Sequence, residues 1–219
     1  MNRSKMYTAS AAAGSALLMG TFALTGGGVA SATGDNGDRA GVVETRGQLN
    51  PLNNSGATGM AEVDVNGRRL DVDVDARRVL AGAPHAMHIH FGAQARHECP
   101  NVAQDDPNGD FRIETAEGAP AYGPVRVSLT KRGPTGAGSV LAVKRFPTAP
   151  QGQIHYDRTV RTGSRVANGV ERGNAVIVVH GVDYNGNGTY DFRSAGKSDL
   201  DPSLPAEATD PALCGVLHH

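Results

Sequence analysis

The sequence predicts an all-β protein, a sandwich or barrel of about eight short antiparallel strands. Three observations predict it. Residues 60–75 alternate apolar and charged side chains on both sides of Asn66-Gly67, the signature of a two-faced hairpin. Short apolar or alternating runs then recur down the chain with Gly and Pro between them. Late in the chain, Ala175-Val176-Ile177-Val178-Val179-His180 is almost continuously apolar, as a strand buried on both faces must be.

The first 32 residues stand apart from that domain. Arg3 and Lys5 precede a small-residue apolar run from Ala9 to Leu24 containing Leu17, Leu18 and Met19, and Ala30-Ser31-Ala32 is an A-x-A cleavage site. These are the parts of a secretory signal peptide. Gly14, Gly20 and Gly26 interrupt the run, so it is too broken for a transmembrane anchor, and no cysteine follows it to take a lipid. The expectation is a secreted or cell-envelope protein whose mature chain starts near Thr33. Residues 33–58 are Gly- and Asn-rich and weakly patterned, which reads as a flexible lead into a single β domain at 59–219.

Within the domain, Met60 to Val65 and Arg68 to Asp75 form the hairpin, and Asn66-Gly67 calls for a type I′ turn because both residues tolerate positive φ. His85 to Gly92 is the next strand. Successive side chains of a strand point to opposite faces, so His88 and His90 project on the same side. Further strands are expected at Phe111–Thr115, Val125–Thr130, Val140–Phe146, Ile154–Val160 and Ala175–His180, with one short helix at Arg165–Arg172.

Composition narrows the partners. The formal net charge is −1, with acids and bases interleaved, which argues against nucleic acid or an acidic membrane. A metal ion or small molecule is the expected partner. His88 and His90 on one face suit copper or zinc, because two neutral ring nitrogens converge on a cation without repulsion. His180, at the end of the late buried strand, is the candidate third ligand. His155 and His97 are weaker candidates, each better explained as a polar strand or loop residue, and the terminal His218 and His219 are poor ones because chain ends fray.

Cys99 and Cys214 are the only cysteines, and in an exported chain one disulfide between them is the default. Asp183-Tyr184-Asn185-Gly186-Asn187-Gly188-Thr189-Tyr190-Asp191 follows the spacing of an oxygen-rich calcium loop, with Asp183, Asn185, Asn187 and Asp191 as candidate ligands. Its twelfth position is Ser194 rather than glutamate, and the same Asn and Gly residues would fill an ordinary turn. Neither a G-x-S-x-G string nor a free cysteine beside a histidine supports nucleophilic hydrolysis. A hydrolytic zinc site with Glu98 as base lacks the H-E-x-x-H helix.

The order His88-x-His90, Cys99, Val178-Val179-His180 and Ala212-Leu213-Cys214-Gly215 resembles the extracellular copper/zinc superoxide dismutases. The resemblance implies a Greek-key β-barrel, copper held by His88, His90 and His180, a Cys99–Cys214 bridge, and dismutation of superoxide at the metal. The family's zinc site is not implied. Residues 102–110 contain no histidine where the bridging and zinc-ligand histidines belong, and Pro211 stands where the family places an arginine. A second string, Ala86-Met87-His88-Ile89-His90-Phe91-Gly92 followed by Pro124-Val125-Arg126-Val127-Ser128-Leu129, is similar to the CHRD domain of secreted and envelope proteins. Pro147 to Ile154 also resembles a segment of that family, which implies a non-catalytic binding or structural module.

Overall fold

The computed structural model describes residues 41–219; the expected leader 1–32 lies outside them. Eight strands make one antiparallel sheet: β1 (Val43–Pro51), β2 (Thr58–Asn66), β3 (Arg69–Arg77), β4 (Met87–His90), β5 (Val125–Ser128), β6 (Gln153–Arg161), β7 (Val176–His180) and β8 (Pro211–Val216). Their spatial order is β5-β4-β7-β8-β1-β2-β3-β6, and the sheet curls into a half-barrel. The expected all-β class is therefore the observed one. Four short helices sit in the connections: α1 (Val102–Asp105), α2 (Thr115–Tyr122), α3 (Ser164–Glu171) and α4 (Ala206–Thr209).

The order follows from which faces are apolar. Strands β2, β3 and β6 alternate strictly, so Val63, Val65, Leu70, Val72, Val74, Ile154 and Val160 all point inward and their charged neighbours point out. Met87, Ile89, Ile177, Val179 and Leu213 from the other half of the sheet enter the same cluster. The outward residues of β7 and β8 are apolar too: Val176, Val178 and Cys214 form a second cluster with Tyr122. That half is buried on both faces because long connections lie over it, and His88, His90 and His180 belong to this covered outer face.

Strand β1 joins the halves, pairing with β2 along Val43↔Val65 to Leu49↔Gly59 and with β8 at Asn50↔Cys214 and Pro51↔Leu213. It falls inside the segment expected to be flexible. Its inward positions are Thr45, Gly47 and Leu49, so only one of them carries a strong apolar signal. Gly47 is required there, since a Cβ would stand 2.7 Å from the Val216 carbonyl oxygen.

Other expectations also need correction. Asn66 is the last residue of β2, opposite Arg69, so the hairpin turns at Gly67-Arg68. Gly67 has φ +58° and Arg68 is not left-handed, the pattern of a II′ turn rather than I′. Phe111–Thr115 is no strand: it leads into α2, where Glu114 and Glu117 form a reciprocal capping box that nucleates a helix instead. Val140–Phe146 is irregular with a 3₁₀ turn at Val143–Arg145, and its Leu141 and Val143 stay partly exposed because they cover the sheet rather than join it. The expected helix at 165–172 is α3; Gly169 sits inside it because a Cβ would meet the Phe91 ring at 2.7 Å.

Cys99 and Cys214 form a disulfide with Cα atoms 5.7 Å apart, pinning the loop after β4 to β8. The bridge spans 115 residues, so replacing both cysteines (Cys99→Ser with Cys214→Ser) is expected to lower the unfolding free energy by roughly 4 to 5 kcal/mol. Urea denaturation of the oxidised chain and the double variant measures it, and a loss under about 1 kcal/mol contradicts the loop-closure account.

Candidate metal centre

Antiparallel pairing of β4 with β7 puts His88 opposite Val178 and His90 opposite Val176. His180 lies one step beyond, with its N–H on the Ala86 carbonyl, so it shares the outer face with His88 as a diagonal neighbour. One ring nitrogen from each of the three histidines lies within 4.8 Å of the others. For three atoms so spaced there is a point no more than about 2.8 Å from any of them, and imidazole–metal bonds of about 2.0–2.1 Å need only small side-chain rotations from there.

Each imidazole is held by one nitrogen and left free at the other. His90 Nδ1 is 2.7 Å from the Gly123 carbonyl oxygen, His180 Nδ1 bonds the Thr209 carbonyl, and His88 Nε2 is 3.3 Å from the Val140 carbonyl. A carbonyl only accepts, so each of these nitrogens carries the proton. The unprotonated nitrogens are then His88 Nδ1, His90 Nε2 and His180 Nε2, and these three are buried without any hydrogen-bond partner. A buried acceptor with no partner costs about 1–3 kcal/mol, so the trio represents a penalty on the order of several kcal/mol that a bound cation removes. Metal-ligating histidines are oriented in this way by their second nitrogen.

Three different connections supply the orienting carbonyls. Gly123 is the residue after α2 and has φ +85°, a conformation glycine adopts without strain. Val140 lies in the 131–146 crossover and Thr209 at the end of α4, where its carbonyl also accepts from the Thr115 hydroxyl at 2.8 Å. Tyr122 packs its ring 4.4 Å from that of His90 and donates its hydroxyl to the Thr115 carbonyl. The sequence reading missed these positions because their contribution is a backbone oxygen or a packing face. The Gly123-Pro124 punctuation was the one available signal.

Beside the three rings lies a cavity of about 30 Å³, lined besides the histidines by Ala86, Thr115, Val125, Val140, Leu141, Leu200 and Thr209. Burial pushes the imidazolium forms out of reach: His90 falls to about 3 and His180 to about 4, each against a hydrogen bond that pulls the other way. His88 is lowered well below its ordinary value by burial and by the two neighbouring rings.

The remaining candidates are elsewhere. His155 is exposed on β6 and pairs with Asp75 across the strands. His97 bonds the Gly92 carbonyl at 2.8 Å and stacks on Phe91, while Glu98 pairs with Arg96. His218 is tied down through its backbone, which exchanges hydrogen bonds with Arg46, so the chain end is not frayed there. Arg112 is held by Asp110, Glu114 and the buried Asp210, whose carboxyl burial pushes up to about 7.

The 183–191 loop is folded by its own side chains. Asp183 accepts from the N–H groups of Asn187 and Gly188, Asn185 from Asn187, and Asn187 from Thr189, while the Asn187 amide donates to Asp191. Ser194 is not alone at the twelfth position. Its hydroxyl bonds Glu207 of α4, a fully buried carboxylate that also accepts from the N–H groups of Tyr184 and Asp191.

No protein-family model matches the sequence, and a search of curated proteins gives no match. What fold and geometry define is an antiparallel β protein with one disulfide and a buried three-histidine cluster suited to a metal ion. Among the described residues no helix is long and apolar enough to cross a membrane.

The depressed histidines set a pH dependence. The unfolded chain takes up protons near pH 6.5 while folded His180 and His90 do not until about 4 and about 3. The contribution of these two histidines to the stability of the metal-free protein is therefore fully present above pH 6.5 and is lost as pH falls from there toward 4, at a slope approaching about 1.4 kcal/mol per unit for each, while Asp210, raised to about 7, acts with the opposite slope over the same window. Thermal melts from pH 8 to 4 measure it. A His90→Gln, His180→Gln double variant should show a flatter profile, and an identical profile would contradict the assignment.

Proposed function

We propose that the protein is a secreted β-module that holds one transition metal, copper, through His88 Nδ1, His90 Nε2 and His180 Nε2. The reading rests on those three buried nitrogens, which have no hydrogen-bond partner while the opposite nitrogens are all engaged by main-chain carbonyls, in three histidines that cluster around one small cavity. Imidazole donors favour copper over the other first-row divalent ions. Copper, when bound, would supply a one-electron couple at the three imidazoles. The chain's own part is to fix the tautomers through Gly123, Val140 and Thr209, to keep bulk water out, and to hold the ligands neutral at physiological pH.

Two activities compete for that site. The His88-x-His90, His180 and Cys99–Cys214 order, shared with copper/zinc superoxide dismutases, supports turnover of superoxide. The CHRD-like strings around β4 and β5 support a non-catalytic envelope or metal-binding module. Pro211 in the arginine's place and the histidine-free 102–110 segment favour the module. The leader-like first 32 residues and the disulfide support its export.

The mature chain should retain one equivalent of copper after dialysis, and His88→Ala or His180→Ala should weaken binding by at least on the order of a hundredfold. Superoxide consumption by the copper-loaded chain should stay near the rate of a variant lacking His180. Metal analysis with pulse radiolysis reads both. Rapid turnover would make the protein a dismutase, and copper retained equally by the variants would remove the site.

A second cation reading attaches to the 183–191 loop. Glu207 supports it, because this carboxylate reaches from α4 to the loop's twelfth position, where Ser194 lacks one. Calcium at millimolar concentration should then raise the melting temperature of the chain by several degrees, a shift Glu207→Gln abolishes. No shift in differential scanning fluorimetry would leave the loop an Asn/Gly turn.

A further inference from the structure

The histidine cavity opens through hydrocarbon. Leu141 and Leu200 are partly exposed and form its mouth, with Val125 and Val140 beneath them. Among the described residues that line it, none is charged. The two hydroxyls present are turned to other partners, Thr115 to the Thr209 carbonyl and Thr209 to Ser198. Beside it, sharing Ala86, Leu141 and Thr209 as a common wall, lies a second cavity of about 220 Å³ bounded chiefly by Val143, Phe146, Leu204 and Pro205. The approach to the histidines is thus apolar for some distance.

The charges behind this lining are of the wrong sign for an anion. Asp199 precedes Leu200, binds the Ala116 N–H and acts electrostatically on His180, and Asp210 follows Thr209. The nearby cation of this network, Arg112, is engaged by three carboxylates. On the covering segment, Arg145 is spent on the carbonyls of Arg132 and Pro134 and on Ser139, and Lys144 is exposed to solvent. Moving an anion from water past Leu141 and Leu200 loses hydration with no donor or cation among the lining side chains to replace it before the metal is reached. A neutral diatomic molecule loses almost nothing on the same path.

We propose that this mouth makes the histidine-bound metal selective for small neutral ligands, of the size and polarity of a diatomic gas, over small anions. The inference rests on the copper-binding reading and specifies what that copper meets. Two probes separate the classes: azide on the cupric protein, followed by its charge-transfer band and electron paramagnetic resonance, and carbon monoxide on the cuprous protein, followed by its infrared stretch. The unmodified protein should bind carbon monoxide at one equivalent and azide weakly. Leu141→Arg or Leu200→Arg, at exposed positions that tolerate a charge, should tighten azide binding on the order of tenfold, less at high salt, and leave carbon monoxide unchanged. Azide bound equally well by all three proteins, or carbon monoxide refused by the unmodified one, overturns the inference while copper retention stands. A chain that holds no copper overturns the metal reading and this inference together.

Discussion

The pairing of β4 with β7 is the constraint from which the rest of the molecule follows. Their register, Met87↔Val179 to His90↔Val176, sets alternate residues of both strands toward the half-barrel core and the intervening ones toward the covering connections. Met87, Ile89, Ile177 and Val179 anchor the pair through apolar burial, and that burial fixes where the histidines stand. A slip of one residue would exchange Met87 and Ile89 for two imidazoles in the core, a loss of several kcal/mol of transfer energy with buried polar groups added. The cluster's geometry is therefore held by the same interaction that holds the fold, and the three histidines need no flexible loop to bring them together.

The covering layer completes what the strands begin. Strands deliver the rings, but each ring could still rotate about χ2 and present either nitrogen. The Gly123, Val140 and Thr209 carbonyls remove that freedom, and they come from three connections that have little else in common. Two of those connections are themselves braced: Cys99 is bonded to Cys214 of β8, and Thr115 reaches from the start of α2 to Thr209. Orientation at the centre thus depends on segments without regular strand structure, which are fixed by a covalent bond, a capping box and side-chain hydrogen bonds.

Much of this was legible in the residues themselves. Period-two alternation in 60–75 is strong because Val and Leu occupy nearly every inward position against Asp, Arg and Glu outside. The H-x-H spacing carries its own geometry, since period two alone places both rings on one face. Strand β1 was hidden because its inward side is Thr45, Gly47 and Leu49, where close backbone approach to Val216 excludes the apolar side chain that would have signalled it. Residues 111–115 and 140–146 mislead for the opposite reason. They carry apolar side chains, but Ile113, Leu141 and Val143 serve as cover for the outer face and follow no period. A turn such as Gly67-Arg68 differs from Asn66-Gly67 only by where strand pairing ends, which local composition does not encode.

The same distinction explains why a ligand set can be read from sequence and its chemistry less so. Three imidazoles state which class of ion they suit. On the proposed reading, what would reach a bound ion depends on Leu141, Leu200, Val125 and Val140, side chains that in any sequence reading count as ordinary apolar positions. The proposed effect is electrostatic by omission: hydrocarbon at the mouth, and carboxylates behind it, would raise the energy of an anion without touching the three imidazoles. On that reading, selectivity would reside in side chains that make no hydrogen bond to the histidines, Val140 touching His88 through its main-chain carbonyl alone, so it becomes visible only when the connections that carry them are placed against the cluster.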